Sequence, residues 1–404
     1  MWTRRSLLAS ATASAVLGAR RARAGAMPGV TATEIKIGQT MPYSGPVSAW
    51  GTVGKAEVAY IEGINAAGGV NGRKITLISL DDSYSPPKTV EQTRKIVEQE
   101  DVAFIYTAIG VAPGLAVRHY LNDHHVPQIF ALAPVEAFKD PQHYPWSIGL
   151  VPTLYLNAKM MAQYILKHRP DARVGVVYQN DDAGKEHLRA LTDGLGAKAG
   201  TMIVKVVSYE VTDPTVDSQI VELKGSGADT FYNTGSTKFA SQAIRKAYDL
   251  DWKPLQLMSY TSSSVPAVLR PAGLDKAAGI ISAAYAKDPT DPQWTNDPEV
   301  IEYFAWLEKQ FPGTAHDDNL VAAGYVYAAT LVALLKLCGD DLSRETIMHQ
   351  ATTLHGPPMP LLLPGITITT SPTAYQPIRQ MRFQRFNGER WELLDEMAGG
   401  PVGE

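Results

Sequence analysis

The chain has 404 residues, 37 basic and 41 acidic side chains, 45% hydrophobic and 19% charged composition, and one cysteine, Cys338. That length exceeds what one hydrophobic core usually serves, so two lobes are expected. The lone cysteine excludes an intrachain disulfide and a cysteine-rich zinc site, and no run of ~18 uninterrupted apolar residues exists to form a membrane span.

Residues 1–24 read as a targeting leader. Arg4-Arg5 gives a charged start, Leu7 to Ala19 a short apolar stretch, and Ala22-Arg23-Ala24 a small-x-small cleavage pattern. The paired arginines favour the twin-arginine export route of a bacterium over the general one. The leader carries five arginines and no acid, so its removal leaves 32 basic against 41 acidic residues, a net of −9. Such a balance argues against nucleic acid or an anionic membrane surface as partner. With no cysteine near the cleavage point to carry a lipid, a soluble periplasmic product is expected.

Strand-like and helix-like segments then alternate. EIKIGQT (34–40) reads as a strand, followed by the turn-rich TMPYSGPVSAWG and a helix over 55–66. KITLISLDD precedes a helix over 87–98 that Pro86-Pro87 helps to start. VAFIYTAI, a helix over 114–124 and PQIFALA follow. HYPWSIGLVPT (143–153) reads as a crossover, after which the series restarts near residue 172. It runs ARVGVVYQN, helix 184–197, MIVKVVSYE, helix 217–224, DTFYNTG, helix 240–248, PLQLMSY. Beyond 286 the rhythm changes to helices over 299–310 and 320–337, then strands from GITITT to a hairpin at Asn387-Gly388. Short Val-, Ile- and Phe-rich strands separated by helices predict an α/β fold of two doubly wound parallel-sheet lobes with a cleft between. Lobe 1 is predicted over 28–150 plus about 286–350, lobe 2 over 151–285 plus about 351–395.

Enzyme signatures are missing: there is no GxSxG, HExxH, Walker GxxxxGK[ST] or post-strand GxGxxG. His124-His125 reads as solvated surface, and His316-Asp317-Asp318 as a helix cap. Asp81-Asp82 is expected to hold the following Ser-Tyr-Ser-Pro-Pro turn, and GGVNG (68–72) to be a helix C-cap and turn. No metal or cofactor is expected. In open parallel sheets, ligands sit outside the carboxyl ends of the strands. The loops there carry aromatics, small hydroxyls and amides: Tyr43, Ser44 and Trp50 after the first strand, Gly110 and Pro134 after the third and fourth. In the second lobe they are Tyr178, Asn180, Asn233, Ser236, Tyr260 and Thr261, with Asp181 and Thr234 beside them. Rings with few rotors and neutral polar groups suit the binding of a small molecule.

Several stretches together resemble the solute-binding proteins of ABC importers, in the branch typified by the leucine/isoleucine/valine-binding protein. They are IKIGQTMPYSGPVSAWG, INAAGGVNGRKI, DDSYSPPKTVEQTRKIVEQEDV, VGVVYQNDDAGKEH, ADTFYNTGSTKFASQAIRKA and AAGYVYAATLVALLKL, in order over residues 34–337. The resemblance implies two lobes joined by three crossover segments, closing on one ligand that is handed to an inner-membrane ABC permease, with no need of an oligomer. It also implies that Trp50 lines the side-chain pocket. The family's amino-acid clamp is not matched. The serine-rich turn is here Ile109-Gly110-Val111-Ala112-Pro113, the threonine loop is Ala133-Pro134-Val135-Glu136, the acidic loop is Ser259-Tyr260-Thr261-Ser262, and a tyrosine gives way to Ala183. An unpaired buried ammonium or carboxylate costs several kcal/mol. An aromatic or otherwise hydrophobic small organic acid, its carboxylate near Gly110, Asn233 and Ser236, or a neutral relative is therefore expected, with a branched-chain amino acid as alternative. The same fold could serve a sensor. An exported enzyme is a third reading, which the missing signatures disfavour.

Overall fold

A computed structural model of the chain describes residues 27–356 and 359–398, so the expected leader lies outside the described residues. The first half builds β1 (Glu34–Met41), α1 (Gly51–Ala66), β2 (Lys74–Asp81), α2 (Pro86–Glu98) and β3 (Ile105–Tyr106). It continues with α3 (Val111–Asp123), β4 (Gln128–Ala131) and β5 (Ser147–Gly149). These five strands pair in the order β2-β1-β3-β4-β5, all parallel.

A second series repeats the plan: α4 (Leu154–His168), β6 (Val174–Gln179), α5 (Asp182–Leu195), β7 (Ile203–Tyr209), α6 (Asp217–Gly225), β8 (Thr230–Asn233), α7 (Thr237–Asp249), β9 (Leu255–Met258) and β10 (Ile281–Ala284). β7-β6-β8-β9-β10 is again a parallel run. Both orders are doubly wound, with the reversal of strand order beside β1 and β6. After α8 (Pro298–Gln310), α9 (Asn319–Cys338) and α10 (Arg344–Ala351), the hairpin β11 (Met381–Phe386) and β12 (Trp391–Ala398) extends the second sheet antiparallel through β10.

Local chemistry accounts for the elements. β6 is buried at five of six positions, as a parallel strand covered by helices must be. Prolines open α2 and α8, and the Asp181, Asp297 and Asp318 side chains cap α5, α8 and α9. α9 is long and apolar enough to cross a membrane by length and composition, but 78% of its apolar window is buried inside the fold. It lies against α1, where a Cβ on Gly324 would come within 2.5 Å of the Val53 carbonyl oxygen. Glycine is what lets the two helices approach so closely.

Three departures from the sequence reading have local causes. GITITT forms one isolated bridge, His355 to Thr369, and no strand. Pro364 and Gly365 (φ +86°) at its start break the extended run. VAFIYTAI forms a strand only at Ile105 and Tyr106, with one isolated bridge from Ile109 to Leu132, because Thr107 turns to φ +39°. The crossover HYPWSIGLVPT contains β5, a strand of three residues and too short to show a period, and runs directly into α4, capped by Thr153.

Candidate functional site: a cavity between the lobes

The carboxyl ends of β1, β3, β4, β6, β8 and β9 converge on a cavity of about 830 Å³, its open mouth included. From the first lobe come Val47 and Trp50 of the TMPYSGPVSAWG loop, Tyr84 after β2, Ile109, Gly110 and Val111 after β3, and Leu132 and Pro134 after β4. The second lobe supplies Gln179, Ala183, His187, Thr234, Ser236, Tyr260 and Thr261, and α9 supplies Tyr327.

The TMPYSGPVSAWG loop is held from below. Ser44 donates from its backbone N to Asp81 Oδ1 (3.1 Å) and from Oγ to Asp81 Oδ2 (2.7 Å), and Lys88 Nζ reaches the same carboxylate at 2.9 Å. Partial burial works against ionisation, but hydrogen bonds from Ser44, Lys88 and Ser83 hold the Asp81 carboxyl well below its ordinary range. Asp82 bonds the Tyr84 backbone N and Thr89, so the paired aspartates do shape the following turn. Ser48–Trp50 forms one 3-10 turn leading into α1, which presents the Trp50 indole to the cavity.

Gly110 adopts φ +110°, and a Cβ there would lie 2.4 Å from Tyr84 Cε2. The glycine thus allows a ring to close against the turn that starts α3. No side chain caps α3 behind Gly110 or α7 behind Ser236, and Gly110, Val111 and Ser236 all line the cavity. Two 13-residue helices therefore turn uncapped amides and the positive ends of their dipoles towards it. Ser236 Oγ donates to Gln179 Oε1 (3.1 Å), and the Tyr209 phenol oxygen accepts from Ser236 N (2.9 Å).

His187 is the one titratable imidazole in the wall. Burial pushes it down to about 3, so it is neutral. Its Nδ1 lies 2.9 Å from the Tyr232 hydroxyl, and Nε2 has no protein partner among the described residues. No Asp, Glu, Lys or Arg lines the cavity among the described residues. The nearby Asp181 is occupied by Gly184 N and Gln179, and Glu186 accepts from Glu136 N (2.9 Å) across the lobes. Burial lifts the Glu186 carboxyl to about 7.

Of the residues singled out from sequence, Trp50, Gly110, Pro134, Ser236, Tyr260 and Thr261 line the cavity, as does Thr234. Five do not. Tyr43 turns under α1, where its hydroxyl donates to Ser79 Oγ (2.6 Å) and Ser79 donates to Gln39 (2.7 Å). Ser44 is exposed at Asp81, and Asn180 is exposed and bonded to Glu210. Tyr178 faces away because side chains alternate along β6, and Gln179 takes the inward position. Asn233 is buried as a loop brace, accepting from Gly235 N and donating to the Ala240 carbonyl. Sequence reasoning missed Tyr84, Gln179, His187 and Tyr327. Strand parity could have found Gln179, whereas nothing local marks Tyr327 within its apolar helix.

The family model described as periplasmic binding protein matches residues 34–390. The chain belongs to the periplasmic binding protein family. Among curated relatives, this periplasmic binding protein is similar to Leu/Ile/Val-binding protein homolog 7 of Brucella suis, 25% identical over 334 residues, 79% of this chain and 80% of that one. Homolog 3 of Brucella melitensis, 26% identical, is matched over 60% of its own length. The fold is that of a branched-chain amino acid ABC transporter protein from Thermus thermophilus with bound valine (TM-score 0.81, 15% identity, 92% of this chain and 98% of that one). It is shared by a solute-binding protein from Rhodopseudomonas palustris in complex with 3,4-dihydroxy benzoic acid (TM-score 0.75, 16% identity, 91% and 97%). Family and fold are those of periplasmic-binding-protein-type solute receptors.

Proposed function

We propose that this receptor is exported to the periplasm as a monomer and closes on a hydrophobic or aromatic carboxylic acid for delivery to an inner-membrane ABC permease. The observation that carries this reading is the absence of any charged side chain from the cavity wall among the described residues, combined with two uncapped helix N-termini. An α-amino acid would bring an ammonium with no carboxylate to meet it, at a cost of several kcal/mol. A carboxylate alone has partners in the amides behind Gly110 and Ser236 and, with the Tyr232 hydroxyl donating to Nδ1, in the His187 Nε2–H. Trp50, Tyr84, Tyr260 and Tyr327 supply ring surface for the body of the ligand. The aromatic acid bound by the Rhodopseudomonas palustris neighbour supports the same class.

The mechanism is a shift of population towards a closed form that the ligand prefers. Contacts that span the lobes hold the closed form: Glu136 N with Glu186, and the Arg270–Asp317 ion pair. Fluorescence titration of the purified protein tests the ligand class. Saturable binding of benzoate-type or aliphatic acids, with leucine and valine weaker, is expected. Tight leucine or valine binding without a response to the acids overturns the proposal.

A further inference from the structure

A second chamber, about 960 Å³ with its mouth, adjoins the first. Trp50, Tyr260, Thr261 and Tyr327 line both, so these four side chains form a shared partition. Three of them are tied. The Tyr260 hydroxyl donates to the Pro152 carbonyl (2.6 Å), Tyr327 shares a hydrogen bond with the Tyr285 hydroxyl (2.8 Å), and the Thr261 hydroxyl bonds Ser259 (2.8 Å). The Tyr260 ring also meets Tyr285 edge-on, with centroids 5.9 Å apart. The Trp50 indole makes no hydrogen bond or ring contact among the described residues, although the backbone N bonds the Val47 carbonyl (3.0 Å), and it is the leaf of the partition that a rotamer change can move.

The far chamber has its own chemistry. Ala283, Ala284 and Ala286 from the second lobe face Leu320, Ala322 and Ala323 from α9. Small apolar side chains on both walls leave open apolar space. The charges at its edge are already satisfied: Lys287 Nζ holds Asp297 (2.7 Å) and Glu299 (2.8 Å), and Asp288 accepts from Thr290 N and Oγ1 (2.9 and 2.7 Å). Methylene or ring carbon fits such a space, whereas a second charged group would find no free partner.

Resting on the carboxylic-acid reading above, we propose that the receptor takes an elongated amphiphilic acid. The carboxyl head stays in the first chamber and an alkyl or arylalkyl tail passes Trp50 into the second. A short acid uses the first chamber alone. Each buried methylene then strengthens binding about fourfold, and the gain continues past the length that fills the first chamber.

Calorimetric titration of the purified protein with straight-chain carboxylic acids of increasing length tests this, alongside two variants that fill the far chamber from opposite walls, Ala323→Trp and Ala284→Phe. Neither alanine lines the first chamber, and parental melting temperatures confirm folding of whichever variant is used. The expected result is an affinity that climbs with length in the parent. In either variant, short acids keep parental affinity and long acids lose tenfold or more. If affinity stops climbing at short acids, or both variants bind long acids as the parent does, the tail subsite is overturned and the carboxylic-acid reading stands. If no acid of any length binds the parent, that reading falls and this inference falls with it.

Discussion

Glu57 shows how a single side chain sets a pH dependence. It projects from α1 into the interior of the first lobe and meets the amide of Gln39, which also donates to Thr107 (2.7 Å). Its Oε1 has no hydrogen-bond partner among the described residues. Burial lifts the carboxyl to about 8, against the opposing pull of the Gln39 hydrogen bond, so the folded chain keeps it protonated at neutral pH. An unfolded glutamate ionises near its ordinary value of 4.5. The stabilisation is therefore complete below that value, declines as pH rises and is gone above about 8. Glu57→Gln keeps the shape of the protonated acid without its titration. Thermal melts of the variant should show a flatter stability profile between pH 5 and 8 than the parent. The gain at the alkaline end should be on the order of a few kcal/mol. Parallel profiles for parent and variant would place the carboxyl at an ordinary value. Tyr43 belongs to this same network, through Ser79 and Gln39. Its place in the TMPYSGPVSAWG segment reflects support for the sheet beneath the ligand loop, and it does not line the cavity.

Helix α9 carries the argument at the scale of elements. It is apolar on nearly every side because α1, α10 and the loops of both lobes surround it. Gly324 sits at its closest approach to α1, where an added methyl would meet the Val53 carbonyl oxygen and, at 2.6 Å, Ala56 Cβ. Gly324→Ala should lower stability by ~1–3 kcal/mol through overpacking, seen as an earlier denaturation midpoint in urea. An unchanged midpoint would mean that the helices can part at no cost. The alternation of strands and helices was legible from sequence because each buried strand is a compact run of Val, Ile and Phe between helix caps. What escaped was short or set by direction. β5 has three residues, and GITITT has strand composition but a proline and glycine that bend it. At the end of β6 the choice between Tyr178 and Gln179 turns on parity, and a ring is the more conspicuous residue but the wrong face. Loop residues were read better where glycine or proline fixed the backbone, as at Gly110 and Pro134. Tyr84 and Tyr327 reach the cavity through tertiary packing, which no local pattern encodes.

For the whole molecule, the lobes are alike in plan yet unequal in role. The first supplies most of the apolar wall, through Trp50, Ile109, Leu132 and Tyr327, and the second most of the neutral polar groups, through Gln179, His187, Thr234 and Ser236. A ligand with one polar end is thus complete only when both halves face it, which favours the closed form once it is bound. The hydrogen bond from the Tyr260 hydroxyl to the Pro152 carbonyl gives that closure a lever. Pro152 lies in the first strap between the halves, two residues before α4, while the ring of Tyr260 forms the wall that a ligand presses on. In the closure proposed above, a ligand that shifts the ring would carry the Pro152 carbonyl of this strap with it, coupling the filling of the cavity to the angle between the halves. Tyr260→Phe keeps the ring and cuts the linkage. Small-angle scattering should then show ligand-saturated protein that stays more extended than the parent, while titration shows affinity reduced by less than tenfold. Full compaction of the saturated variant would assign the pivot to another strap.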